Sequence, residues 1–134
     1  MRRVLIVEDS PTQAAELRIV LESAGFEVVT AVDGERGLEA LLTSKFDRVI
    51  SDIVMPGISG YDLCRRIKSD PLRREVPVVL LTTLSDPLDI IQGLECGADN
   101  FITKPYEGDY LLSRVGTLME NKRLRNEGKL KVGV

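Results

Sequence analysis

Five short apolar runs, each followed by a stretch with helical spacing, limit what this chain can become. They are Val4-Leu5-Ile6-Val7, Val28-Val29-Thr30-Ala31, the run from Val49 to Asp52, Val78-Val79-Leu80-Leu81 and Phe101-Ile102-Thr103. Short runs rich in valine and isoleucine, bounded by turn residues, read as strands, the first and third of them buried. Between them the apolar residues keep a helical period: Leu17, Val20, Leu21 and Ala24, then Leu38, Leu41 and Leu42, then Leu63, Cys64 and Ile67. Ile90, Ile91 and Leu94 continue the pattern, as do Leu111, Val115 and Leu118. Strictly alternating strands and helices predict the α/β class: one doubly wound (βα)5 domain with a five-stranded parallel sheet, helices on both faces and right-handed crossovers.

Local signals set the boundaries. Ser10-Pro11-Thr12-Gln13 offers an N-cap, a proline at the first helical position and a capping-box glutamine. Gly25 closes that helix. Asp33 caps the second helix, Ser85-Asp86-Pro87 opens the fourth, Gly97 ends it, and the fifth starts near Glu107. Pro56, Gly57 and Gly60 force a loop after the third strand. Beyond Met119 the apolar spacing fails, so residues 1–119 read as the domain and 120–134 as a charged helix extension or linker.

With 134 residues the chain has room for one domain and little else. A net charge of -3 argues against a general nucleic-acid binder. No apolar run approaches the roughly 20 residues a membrane span requires. Cys64 and Cys96 have no metal-ligand spacing and read as small buried residues, which suits a reducing, cytoplasmic setting. There is no histidine. Ser-His-Asp catalysis and histidine-ligated zinc are thereby excluded, and any chemistry rests on carboxylates, hydroxyls and lysine.

Those groups stand at the strand ends. The first strand runs into Glu8-Asp9, the third ends in Asp52, the fourth in Thr82 and the fifth in Lys104. In a parallel sheet all of these ends share one edge, where ligands of open α/β sheets bind. Taken singly, each has an ordinary reading: Asp52 a turn cap, Glu8-Asp9 a strand-to-helix turn, Thr82 a strand-end hydroxyl, Lys104 a surface lysine. Their coincidence on one edge is what singles them out. Three clustered carboxylates repel one another, and a hard divalent cation such as Mg2+ removes the conflict. The set suits phosphoryl transfer. Asp52 is the candidate nucleophile, and Lys104 and the Thr82 hydroxyl hold phosphoryl oxygens.

This pattern resembles the receiver domain of bacterial two-component response regulators over about Arg2 to Met119. The residues that carry the resemblance are Glu8-Asp9, Asp52 in Asp-Ile-Val-Met-Pro-Gly, Thr82 after Pro-Val-Val-Leu-Leu, and the segment from Gly97 to Pro105. The resemblance implies a flavodoxin-like sheet of order 2-1-3-4-5 and a histidine kinase or histidine phosphotransfer protein that donates the phosphoryl group to Asp52. It implies Mg2+ held by Asp9, Asp52 and the Val54 carbonyl, with Glu8 reaching it through water. Thr82 and Phe101 match the family's switch pair, and Lys104-Pro105 its cis peptide. Helix four, strand five and helix five would form the surface partners read, and would also serve a homodimer.

Some positions depart from the commonest pattern. Glu8 stands where aspartate is more frequent, Thr83 where alanine or glycine is usual, and Phe101 lacks the hydroxyl of a tyrosine. Val54 and Leu84, both apolar, give nothing to orient an attacking water, so slow self-hydrolysis of the acyl phosphate is expected. On this reading the domain is no enzyme beyond accepting and slowly losing its phosphoryl group. It reads as cut from a larger regulator with an output domain, or from a hybrid sensor kinase whose parent chain carries kinase activity. A stand-alone phosphorelay shuttle and an unphosphorylated receiver-like scaffold are the alternatives. An aspartate-based phosphatase fits worse, because such enzymes resemble a DxD pattern and Val54 occupies the acid position.

Overall fold

The computed structural model describes residues 2–83, 91 and 95–115. The elements run β1 (Arg3–Val7), α1 (Pro11–Ser23), β2 (Glu27–Ala31), α2 (Gly34–Thr43), β3 (Arg48–Asp52), α3 (Gly60–Ser69), β4 (Val78–Thr82) and β5 (Asn100–Thr103). A last helix begins at Gly108 and is described to Val115. All strand pairs are parallel, and the sheet order is β2-β1-β3-β4-β5. Within the expected fourth helix Ile91, Glu95 and Cys96 are described, the first two helical. Ile90, Leu94, Leu118 and the expected 120–134 extension lie outside the described residues.

The alternation of side chains along each strand divides the core in two. Val4 and Ile6, with Ile50, Val79, Leu81 and Ile102, face Leu17 and Leu21 of α1 and Leu111 and Val115 of the last helix. Leu5 and Val7, with Val49, Val78 and Leu80, face Leu41 of α2 and Leu63, Cys64 and Ile67 of α3. Consecutive residues alternate between the two clusters, so a strand covered on both faces reads as an unbroken apolar run.

The caps follow the chemistry of the sequence with one exception. Ser10, Asp33 and Ser59 each accept the N–H three residues on, at 3.3, 2.8 and 3.2 Å. Gly25, at φ +92°, ends α1 in a Schellman arrangement: its N–H donates to Glu22 O and that of Phe26 to Leu21 O. The exception is Gln13, whose side chain does not complete the capping box. The Ser10 N–H donates instead to Glu8 Oε2 at 3.2 Å.

Helix faces also differ from expectation, and Ile91 of the expected fourth helix is 49% exposed. Leu42 is 72% exposed beside a buried Leu41, because α2 presents only a narrow stripe to the sheet. Ala24 is exposed as the C-cap of α1 rather than part of its buried face. Cys64 and Cys96 are both buried thiols, although Cys96 sits in a turn after Glu95 rather than in a helix. The Cys64 thiol donates to Cys96 O at 3.4 Å, and burial, with Cys96 alongside, pushes its pKa well up.

At the amino edge two aspartates brace neighbouring strands. Asp47, just before β3, accepts the Arg3 N–H at 2.6 Å, and Asp99, just before β5, accepts the Val78 N–H at 2.7 Å. Arg48 is 1% exposed. Its Nη1 donates to Val115 O at 2.6 Å and its guanidinium lies 5.2 Å from the Phe26 ring centroid. Burial first, then the nearby Arg2, lower its pKa to about 10.

Candidate functional site

Strand register assembles the carboxyl edge. Val7 pairs with Ser51, so Glu8 and Asp52 leave adjacent strands side by side. Asp52 pairs with Leu81, which puts Thr82 one step beyond it, and Thr82 pairs with Thr103, which delivers Lys104 next. Pairing persists past the strand ends: Glu8 N–H donates to Ala31 O at 3.0 Å, Ile53 N–H to Leu81 O at 3.2 Å and Lys104 N–H to Thr82 O at 2.7 Å. The functional residues are therefore held by the ladder itself.

The loop after β3 is folded tightly back. Gly57 has φ +79°, where a side chain would be strained. Gly60 matters for another reason than the turn expected of it. Its N–H donates to Ile53 O at 2.8 Å, and a Cβ there would lie 2.3 Å from Asp52 O. Backbone thus packs on backbone behind Asp52. Its carboxylate is oriented by the next residue, with Ile53 N–H donating to Oδ1 at 2.9 Å.

Glu8, Asp9 and Asp52 each present an oxygen within 4.8 Å of the others. Glu8 is 2% exposed, Asp52 half-buried and Asp9 exposed. Lys104 Nζ faces this cluster, 3.2 Å from Glu8 Oε1 and 3.3 Å from Asp52 Oδ2. Burial raises the Glu8 carboxyl above its ordinary pKa. The Ser10 N–H opposes that rise, Asp52 adds to it, and Lys104 also opposes it. The Lys104–Pro105 peptide is cis.

Thr82 is buried at the end of β4, and the exposed Thr83 lines a groove of about 490 Å³ with Gln13, Lys104 and Tyr106. Burial first, then Glu16, Glu8 and Asp52, push the Tyr106 phenol up to about 12. Phe101 is half-buried against the core cluster under α2 and α3, across from Leu80 in register. Val54 is 67% exposed, and Leu84 lies outside the described residues. One member of the site escaped the sequence reading. Gln13 Oε1 accepts from Lys104 Nζ at 2.6 Å, and its only signal is a place one turn into the helix that leaves β1.

Known proteins resemble this chain in sequence and in fold. The family model described as the response regulator receiver domain matches residues 4–116. The transcriptional regulatory protein DltR of Streptococcus agalactiae is 37% identical over 131 residues, which cover 98% of this chain and 58% of DltR. The chain thus spans under two thirds of that relative. Among solved structures, the receiver domain of a signal transduction histidine kinase from Syntrophus aciditrophicus is 45% identical, with a TM-score of 0.86, covering 90% of this chain and 92% of that one. The response regulator TrrA of Thermotoga maritima, solved in complex with Mg(2+)-BeF, is 32% identical with a TM-score of 0.79, covering 88% of this chain and 99% of that one.

Proposed function

This chain belongs to the response regulator receiver domain family, and from that premise we propose that Asp52 accepts a phosphoryl group and so switches the domain between two signalling states. The observation that carries the reading is the convergence of Glu8, Asp9 and Asp52 within 4.8 Å, opposed by the ammonium of Lys104. A purely structural edge has no reason to gather three carboxylates, since like charges at that range repel.

The carboxylates fit a hard divalent ion. They offer oxygen ligands only, and one lysine leaves them collectively negative. Mg2+ would be held by Asp9, Asp52 and the Val54 carbonyl, with Glu8 through water, and when bound it supplies charge neutralisation at the phosphoryl oxygens. The chain's own residues do the rest. An Asp52 carboxylate oxygen attacks phosphorus, a P–O bond to Asp52 forms, and the bond to the donor breaks with its electron pair leaving on the donor. No general base is required, because a carboxylate is already the nucleophile. Lys104 and the Thr82 hydroxyl hold phosphoryl oxygens, and Phe101 follows Thr82 by moving into the space that the threonine gives up.

The donor is a histidine kinase or histidine phosphotransfer protein, whose phosphorylated imidazole is the leaving group. TrrA, with its Mg(2+)-BeF ligand, supports the metal and the phosphoryl site by similarity. DltR supports an output arm in a longer parent, and the Syntrophus receiver supports a kinase parent. Partners, or a second copy, would read the surface of β5 and the helices flanking it.

Intact-mass measurement after incubation with acetyl phosphate tests the proposal. A single phosphate adduct that requires both Mg2+ and Asp52, and is absent in Asp52→Asn, is the expected result. An unchanged mass under every condition would leave the scaffold reading in its place.

A further inference from the structure

The shortest contact to the Lys104 ammonium comes from none of the carboxylates. Gln13 Oε1 lies at 2.6 Å, against 3.2 Å for Glu8 Oε1 and 3.3 Å for Asp52 Oδ2. An ammonium carries three N–H donors; Gln13 and Glu8 accept one each, and Asp52 stands within ion-pair distance. The glutamine is free for this because of Glu8. A glutamine at this point of a helix ordinarily reaches back to the N-cap amide. That amide, the Ser10 N–H, is already taken by the longer side chain of Glu8. The same Glu8 carboxylate spans both jobs, with Oε2 on Ser10 and Oε1 on Lys104.

The three partners differ in what else they serve. Glu8 and Asp52 belong to the carboxylate cluster, so any cation bound there competes with Lys104 for them. Gln13 is neutral, stands on α1 and lies outside that cluster. We propose that Gln13 is a positioning residue: its side-chain carbonyl keeps the Lys104 ammonium aimed at the phosphoryl site when the carboxylates are engaged elsewhere. The inference rests on Asp52 being the phosphoacceptor. A lysine stem with four rotatable bonds gains from such a fixed acceptor, because ordering the ammonium beforehand removes that cost from the transfer step.

The test uses the full chain as wild type, Gln13→Met, Lys104→Ala and the double variant. Adduct formation from acetyl phosphate at saturating Mg2+ is followed by intact mass, and Mg2+ affinity by calorimetry. Methionine keeps length and helix propensity but offers no comparable acceptor. Gln13→Met should slow adduct formation about tenfold, of the size expected of a misplaced polar group, while Mg2+ affinity stays within about twofold of wild type. In the Lys104→Ala background the same substitution should add nothing, since a residue acting through Lys104 is not additive with it. In Mg2+-saturated protein, the Lys104 ammonium should exchange with water faster in Gln13→Met than in wild type, read by 15N NMR.

An adduct as fast in Gln13→Met as in wild type overturns the inference alone. So does an equal slowing in the Lys104→Ala background, or unchanged ammonium exchange. A wild type that forms no adduct overturns the phosphoacceptor reading, and the role of Gln13 falls with it.

Discussion

At Gly60 a single hydrogen atom decides how close α3 comes to the strand that ends in Asp52. The Cβ of an alanine would meet Asp52 O at 2.3 Å and Ile53 Cα at 2.8 Å, both backbone atoms with no rotamer to give. Gly60→Ala must therefore displace the loop or the helix start. It should cost about 3 kcal/mol, the upper end of what overpacking does, and should slow adduct formation at Asp52 as well. Urea unfolding together with adduct kinetics measures both effects; a variant as stable as wild type would mean that the loop has slack. The glycine was legible as a turn signal, while the close approach was not, because a sequence does not state how near two backbones pass. Asp52, Glu8, Asp9, Thr82 and Lys104 were legible for a simpler reason: each stands at or just past the end of a strand, and a parallel sheet brings strand ends together. Gln13 had a satisfactory local reading as a capping-box residue. What displaced it was the reach of Glu8 across the turn, a contact that only the folded site presents.

Among the elements, α3 and the amino ends of β4 and β5 are tied by one lysine. Lys68 Nζ donates to Val76 O and Asp99 Oδ2, both at 2.8 Å, and to Arg74 O at 3.2 Å. Asp99 Oδ2 also receives the Val78 N–H, so the pair joins α3, the turn before β4 and the start of β5. With side chains only 17% and 24% exposed, this is no freely solvated pair. Lys68→Met keeps the aliphatic stem and removes all three donors. The expected cost is about 2 kcal/mol, in the range of hydrogen bonds to charged groups, and the urea midpoint should fall without a change of slope. A loss below about 0.5 kcal/mol would put the bridge in the class of surface ion pairs. The strands themselves were legible almost to the residue, since a strand covered on both faces leaves an uninterrupted apolar run. The helix faces were less so. Leu41 and Leu42 both fit a helical period, and only the width of the stripe that α2 presents to the sheet separates the buried one from the exposed one.

For the molecule as a whole, the site sets function against stability. Three carboxylates gathered within 4.8 Å, with one lysine facing them, store repulsion that the rest of the fold has to offset. Asp9 is the member without a lysine contact among the described residues, and it is exposed, so its neutralisation should relieve repulsion without leaving a buried cation unpaired. In metal-free buffer Asp9→Asn should be more stable than wild type by about 1 kcal/mol, as expected for charges at this separation in a wet site, or about 4 °C in Tm. Magnesium should reverse the order. A ligand that binds only the folded state adds stability by mass action, about 2.7 kcal/mol at a hundred times its Kd. Wild type should gain in that way while Asp9→Asn, short of one ligand, gains far less. Thermal unfolding of both proteins in chelator and in Mg2+ gives four midpoints, and the proposal requires the two curves to change places. If Asp9→Asn is the less stable protein in chelator too, the carboxylates are not in conflict, and the argument that they are gathered for a cation loses its physical basis.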